Sequence, residues 1–312
     1  MVPAVRVVKM KPRKRLAPIF QYAHQATCGD VFSHLINHHR SHVMTQTTSS
    51  TIARHKLHQR LEGKVALVTG GGTGIGRAAA LAYAGDGARV VLAGRRSAEL
   101  QAVAHEIVTA GGDALAVSAD VTQEEDVRRL VATATGHYGR LDVAFNNAGV
   151  LGHIAPITEQ SSTDFDTVIA TNLRGVWLSI KYEVEAFLAQ GHGGAIVNTS
   201  SWLAKGALAG TSSYSASKGA LDALIRAVAI EHGAQGIRIN NINPGIIDTP
   251  MARSGWSDDL AFVPFIEHTP VKRVGQPTDA GDVAVWLSTE EARFVTGQNI
   301  LVDGGYTIAG LR

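Results

Sequence analysis

From Lys64 onward the chain alternates short β-branched apolar runs with longer stretches of helical periodicity, an order that few architectures accept. Val65–Thr69, Arg89–Ala93, Ala114–Ser118, Leu141–Phe145, Ala195–Thr199, Arg238–Ile242 and Asn299–Val302 read as strands. Between them Ile75–Ala84, Ala98–Thr109, Glu124–His137, Phe165–Ala189, Ser213–His232 and Asp279–Ser288 read as helices. Strands that are apolar throughout, rather than on alternate residues, are buried on both faces, so helices must cover a parallel sheet from both sides. The expectation is an α/β fold in a single domain: a doubly wound seven-stranded parallel sheet in three α/β/α layers. In such sheets ligands bind at the carboxyl ends of the strands.

The 312 residues are 45% hydrophobic and 18% charged, ample for one sizeable core. No apolar run reaches the roughly 18 residues of a membrane span, so no membrane partner is expected. The single cysteine, Cys28, can form no internal disulfide and no thiolate metal cluster, which fits a reducing, cytoplasmic setting. The net charge of +2 hides an asymmetry. Residues 1–60 hold ten Lys or Arg and one acid, Asp30, so the remainder is acidic by about seven charges. The basic excess therefore belongs to the tail and gives no argument for nucleic-acid binding.

That tail (1–60) lacks periodicity and reads as a disordered extension with a short helix around Val31–His42. It resembles a transit peptide in charge, it could bind a partner, or it precedes a true start at Met44, the reading preferred here. His34, His38 and His42 have helical spacing but read as solvated, so no metal is expected.

Between the first strand and the first helix lies Thr69-Gly70-Gly71-Gly72-Thr73-Gly74-Ile75-Gly76. Glycines let backbone approach a pyrophosphate, and the helix N-terminus offers free N–H groups and a positive dipole end. The position of the loop makes this a dinucleotide site, with G-x-x-x-G-x-G in place of the commoner G-x-G-x-x-G. After the second strand, where an acid would bind the ribose 2′-hydroxyl of NAD, the chain has Gly94-Arg95-Arg96. Guanidinium groups suit a 2′-phosphate, so NADP is favoured and NAD remains open.

Tyr214-Ser215-Ala216-Ser217-Lys218 sets a phenol and an ammonium one helical turn apart. A free phenol ionises near ~10, and a neighbouring cation brings it toward use as an acid/base. None of the other five tyrosines has a lysine four residues on. Ser200-Ser201 ends a strand thirteen residues before Tyr214, where a hydroxyl can orient a substrate oxygen.

Taken together, the glycine loop, Asn146-Asn147-Ala148-Gly149, Asn172, Ser201, Tyr214 with Lys218, and Asn243-Pro244-Gly245 resemble the short-chain dehydrogenase/reductase family. The match is to its compact branch of about 250 residues, with a Rossmann-like fold, and runs from about Leu61 to Ile308. The resemblance implies an NAD(P)-dependent oxidoreductase interconverting a secondary alcohol and a ketone or aldehyde. Tyr214 would be the general acid/base, Lys218 would lower its pKa and bind the nicotinamide ribose, Ser201 would polarise the carbonyl, and Asn172 would hold a relay water. Gly70, Thr73, Gly74, Ile75 and Gly76 would cradle the pyrophosphate, with Arg95 at the adenosine ribose. Asp120 and Val121 would meet the adenine, Asn147, Ala148 and Gly149 would line the cleft, and Pro244, Gly245, Ile247 and Thr249 would flank the nicotinamide.

The same resemblance implies a substrate lid over about 249–276, where Met251, Trp256, Phe262, Phe265 and Ile266 suit an apolar or amphipathic substrate. It also implies a homotetramer or homodimer. A non-catalytic NAD(P)-binding regulator on the same fold is the alternative, and the intact Asn-Ser-Tyr-Lys set counts against it. A nucleotide-sugar epimerase would carry T-G-x-x-G-x-x-G and a larger C-terminal region.

Overall fold

The computed structural model describes residues 59–256 and 258–309. Its seven strands are β1 (Val65–Thr69), β2 (Arg89–Gly94), β3 (Ala114–Ser118), β4 (Val143–Asn146), β5 (Gly194–Thr199), β6 (Ile237–Pro244) and β7 (Asn299–Val302). All pair in parallel, in the order β3-β2-β1-β4-β5-β6-β7. The order reverses between β1 and β4, and there the carboxyl ends of the strands open a crevice.

The helices are α1 (Gly74–Gly85), α2 (Ser97–Thr109), α3 (Glu124–Tyr138), α4 (Ser162–Ile169), α5 (Gly175–Gln190), α6 (Ser212–His232), α7 (Pro250–Gly255), α8 (Val263–His268) and α9 (Pro277–Ser288). Ala79, Ala80 and Tyr83 of α1, Leu100 and Val103 of α2, and Ala280 and Ala284 of α9 cover one face of the sheet against Ala66, Val68 and Phe145. Leu130 of α3, Ile180 and Phe187 of α5, and Leu221 and Ile225 of α6 cover the other, against Leu67, Ala144, Ile196 and Ile239. Each large side chain buried this way contributes about 1.5–3 kcal/mol. Small residues set the spacing on the first face: a Cβ on Gly281 of α9 would lie 3.0 Å from the Ala79 backbone nitrogen of α1.

A polar row crosses the second face. Asn146, Asn198 and Asn241 stand in register on β4, β5 and β6, and Asn299 follows on β7. Each side-chain amide donates to the next side-chain carbonyl, at 3.1, 3.0 and 2.8 Å. Glu183 of α5 closes the β4 end by accepting from Asn146 Nδ2 at 3.0 Å.

One expected helix needs correction. The helix expected over Phe165–Ala189 starts at Ser162 and is interrupted by a π turn, Ala170–Arg174, that separates α4 from α5. Ser161 and Asp164 fix its start as a reciprocal capping box, each side chain bonding the other's backbone N–H at 3.1 Å. The 249–276 segment, expected as a substrate lid, contains α7 and α8 with a 3₁₀ turn, Asp259–Phe262, before α8. Thr249 caps α7 by accepting from the Ala252 N–H at 3.1 Å, and Pro250 fits its first turn. At the start of the described residues the Arg60 guanidinium bonds the buried Asp86 carboxylate at 2.5 Å and 3.0 Å. The expectations for residues 1–58, namely the disordered tail, the Val31–His42 helix and the Met44 start, lie outside the described residues. Among the described residues no helix is long and apolar enough to cross a membrane, and no cluster of His, Cys, Asp and Glu is set to hold a metal.

Candidate active site

The glycine loop leaves β1 and enters α1 through conformations that side chains resist. Gly70 has φ +66° and Gly74 φ +55°. A Cβ on Gly70 would lie 2.9 Å from Asn147 Nδ2, and one on Gly76 would lie 2.2 Å from the Gly70 carbonyl oxygen. Thr73 precedes α1 without capping it through its side chain, so the first-turn N–H groups stay free to bind an anion at the cleft. This is a cradle a Cβ would fill, and its shape fits a dinucleotide pyrophosphate. The missing side chain of Gly76 also lets the loop fold back on Gly70.

A single cleft runs along the strand ends. Gly70, Thr73, Gly74, Ile75, Arg95, Asp120, Val121, Asn147, Ala148, Gly149, Ser201, Tyr214, Lys218, Pro244, Gly245, Ile247 and Thr249 all line it. At its outer end, Arg96 donates to Thr73 Oγ1 at 3.0 Å and its Nε lies 2.7 Å from a Glu99 carboxylate oxygen. Arg95 lines the same end. Asp120 bonds both the hydroxyl and the N–H of Thr122, at 2.9 and 3.0 Å. Asn147 ties the edges of two strands together, because its backbone N–H donates to Thr69 Oγ1 at 3.0 Å and its side-chain Oδ1 accepts from Thr199 Oγ1 at 3.1 Å.

The other end of the cleft is apolar. Leu151, Trp202, Leu203, Leu208, Ile247, Met251 and Trp256 line it, and none of these is charged. Trp202 follows Ser201 directly and stacks edge-on against Tyr306, with ring centres 4.8 Å apart. Tyr306 meets Phe265 of α8 at 6.2 Å, and Phe265 meets Trp256 at 5.4 Å. An aromatic chain thus joins α8 and Trp256 to the strand end carrying Ser201. Tyr306 carried no sequence signal for this, since it lies beyond the last strand.

Tyr214 and Lys218 project from one face of α6 toward the junction of the two ends. The Lys218 ammonium donates to the Thr199 carbonyl at 2.7 Å and lies 5.6 Å from the centre of the Tyr214 ring. Burial pushes the Tyr214 phenol up to about 12, and a hydrogen bond from Ser201 opposes that shift. Burial pushes the Lys218 ammonium down to about 8, and the Asp222 carboxylate opposes it. Ser201 Oγ also accepts from the Leu203 N–H at 3.1 Å, which fixes the turn behind it.

Asn172 is fully buried in the π turn and does not line the cleft, whereas its neighbour Thr171 does. Its amide is engaged with Val150, accepting from the N–H and donating to the carbonyl, both at 2.8 Å, and it also donates to Ser217 Oγ at 3.3 Å. The side chain thereby fixes the π turn against the Val150 wall of the cleft. Sequence reading also missed Asp222 and Asn241, and took Asn243 only as part of a motif; these meet behind Ser201.

A family model described as enoyl-(acyl carrier protein) reductase matches residues 70–307. The chain belongs to the short-chain dehydrogenase/reductase family. Cyclohexanol dehydrogenase of Acinetobacter sp. (strain SE19) is 40% identical over 248 residues, covering 80% of this chain and 96% of the relative. The 2,5-dichloro-2,5-cyclohexadiene-1,4-diol dehydrogenase of Sphingobium indicum is 36% identical over 248 residues, 79% of this chain and 98% of the relative. The crystal structure of levodione reductase superposes with a TM-score of 0.78 at 34% identity, over 80% of this chain and all of that one. The chain is accordingly an NAD(P)-dependent oxidoreductase of alcohol and carbonyl groups.

Proposed function

We propose that this short-chain dehydrogenase/reductase uses NADP(H) to interconvert an uncharged alicyclic secondary alcohol and its ketone, with Tyr214 as general acid/base. One observation carries the reading: phenol, hydroxyl and ammonium from Tyr214, Ser201 and Lys218 line one cleft where its glycine-and-arginine end meets its apolar end. When bound, the nicotinamide supplies the hydride acceptor or donor and, when oxidised, a positive charge that favours phenolate.

In the oxidative direction Tyr214 takes the hydroxyl proton as the carbinol hydride departs, and in reduction it returns that proton to the carbonyl oxygen. Ser201 donates to the same oxygen and supports the charge that develops on it. Lys218 holds the nicotinamide ribose and lowers the phenol. Asn172 supports the Val150 wall, and any relay water it holds is held by its backbone carbonyl. The first turn of α1 with Gly70, Thr73, Gly74 and Ile75 holds the pyrophosphate. Asp120 and Val121 flank the adenine, while Pro244, Gly245, Ile247 and Thr249 flank the nicotinamide.

NADP rests on Gly94 and Arg95, where a guanidinium replaces an acid beside the adenosine ribose. The uncharged apolar walls around Trp202, Leu203 and Met251 support an apolar ring, and two of the relatives above are named for cyclohexane-type alcohols. The description of the matched model favours a second reading, reduction of an enoyl thioester. A homotetramer and a cytoplasmic setting complete the reading, the latter on the single cysteine.

The test is nicotinamide absorbance with NADPH and NADH in parallel against cyclohexanones, linear ketones, keto acids, glucose and an enoyl thioester. Turnover of cyclohexanones with NADPH at least tenfold above the rest supports the reading. Preference for the enoyl thioester moves it to the second, and cofactor binding with no turnover of any substrate favours a regulator.

A further inference from the structure

Four residues past Lys218 on the same face of α6 stands Asp222, so phenol, ammonium and carboxylate follow one another at successive turns of one helix. Asp222 is only 7% exposed, and among the described residues no Lys, Arg or His forms an ion pair with it. A carboxylate buried without a bonded cation is costly unless neutral donors surround it. Here they do. Ser200 Oγ donates to its Oδ1 at 2.7 Å, Asn241 Nδ2 at 3.2 Å, and Asn243 Nδ2 reaches both oxygens at 3.3 and 3.2 Å.

The donors are themselves attached to the site. Asn243 Nδ2 also donates to the Ser201 carbonyl at 2.9 Å, and the Ser200 hydroxyl contacts the Lys218 carbonyl at 3.2 Å. One carboxylate therefore gathers the end of β5, the end of β6 and the middle of α6 at the point from which Ser201, Tyr214 and Lys218 project. The ammonium itself faces few titratable groups. Tyr214 and Asp222 share its helix, while Thr199 at the end of β5 and Asn172 in the π turn present groups that do not titrate. Arg226, one turn beyond Asp222, donates to its backbone carbonyl at 2.5 Å and does not bond the carboxylate.

We propose that Asp222 is a positioning residue for hydride transfer: its negative charge keeps buried Lys218 protonated, and its hydrogen bonds through Ser200 and Asn243 hold Ser201 against Tyr214. This rests on the Tyr214–Lys218 reading above. Only an ionised carboxylate can do both, because asparagine at this position keeps the shape and loses the charge.

The experiment compares full-length wild type with Asp222→Asn, Asp222→Glu and Ser200→Ala. It measures kcat/KM for alcohol oxidation against pH, and the ultraviolet difference absorbance of ionised Tyr214, corrected by the Tyr214→Phe titration. Loss of the negative charge favours phenolate and disfavours ammonium, so in Asp222→Asn both limbs of the profile move to lower pH by about one unit. The tyrosine titration, read without turnover, moves the same way. Asp222→Glu retains the charge, and Ser200→Ala removes one neutral bond; both lower kcat with the profile unmoved. An unshifted profile and titration in Asp222→Asn overturn the proposal, as does an equal shift in Ser200→Ala. Should Asp222→Asn fail to fold, a shifted profile in Asp222→Glu overturns it and an unmoved one supports it. Inactive wild type would instead indict the Tyr214–Lys218 reading, while the tyrosine titration still decides the role of Asp222.

Discussion

The Lys218 ammonium and the Tyr214 phenol share one helix face, with the ammonium 5.6 Å from the ring centre and anchored on the Thr199 carbonyl at 2.7 Å. The anchor lets the lysine influence the phenol without bonding to it directly. Replacing Tyr214 with Phe removes only the transferable proton, because the ring keeps its packing. Tyr214→Phe is expected to lower kcat by about 10³-fold, within the range for a positioned acid/base. Calorimetric cofactor affinity should stay within about threefold, since the ring stays in place and only the hydroxyl is lost. Turnover near wild type would remove Tyr214 from the mechanism.

Arg95 and Arg96 are adjacent in sequence but are held differently. Arg96 is tied to Thr73 and Glu99, whereas Arg95 lines the cleft at the outer end. Arg95→Ala should therefore weaken NADPH by about tenfold or more, roughly one charge-assisted hydrogen bond to phosphate, and NADH by less than about twofold. Fluorescence titration with both cofactors measures the ratio, and equal losses would mean that Arg95 does not read the 2′-phosphate.

Gly76→Ala should be far more damaging than its small size suggests. The new methyl would lie 2.2 Å from the Gly70 carbonyl and 2.5 Å from Asn147 Nδ2, both parts of the cleft floor. Overpacking of this kind costs about 1–3 kcal/mol, and the loop must move to relieve it. Thermal melting should fall by several degrees, and cofactor should no longer raise the melting temperature.

Glu183 should make stability fall as pH rises. Burial pushes its carboxyl up to about 8 against an ordinary value of 4.5, and one of its oxygens, like Asn146 Oδ1, has no partner. A single proton on Glu183 satisfies both atoms in a reciprocal acid–amide pair. The folded chain holds that proton while the unfolded chain releases it above the ordinary range. Stability from this group is complete below pH 4.5, declines up to about pH 8, and is flat beyond. The slope is at most about 1.4 kcal/mol per pH unit. Glu183→Gln keeps the paired geometry without a proton to lose, so its melting temperature should exceed wild type by a margin that grows from pH 5 to 8.

The features legible in the sequence are those carried by local spacing. β1, β3 and β7 begin and end where the sequence pattern sets them. Tyr214 and Lys218 were legible because four residues make one helical turn. Helix α7 was missed although Thr249-Pro250 spells a helix start, since its six residues are too few to show a period. The capping box at Ser161 and Asp164 was equally visible. Glu183 was not: in Lys181-Tyr182-Glu183-Val184-Glu185 it resembles Glu185, and only the register of the sheet beneath buries one of the two. Asp222 was hidden for the same reason, because its partners Ser200, Asn241 and Asn243 come from two other strand ends.

The row of asparagines across β4 to β7 bears on how this chain finds its fold. Side chains alternate between the faces of a strand, so a slip of one residue between any two of these strands would put an aliphatic group beside an amide. Each amide stranded in that way costs about 1–3 kcal/mol. Apolar strands alone would tolerate neighbouring alignments almost equally, since Val, Ile and Ala exchange places with little loss. The amides therefore act chiefly by raising the free energy of the misaligned sheets, and they make the native pairing of the four strands the one the chain can bury.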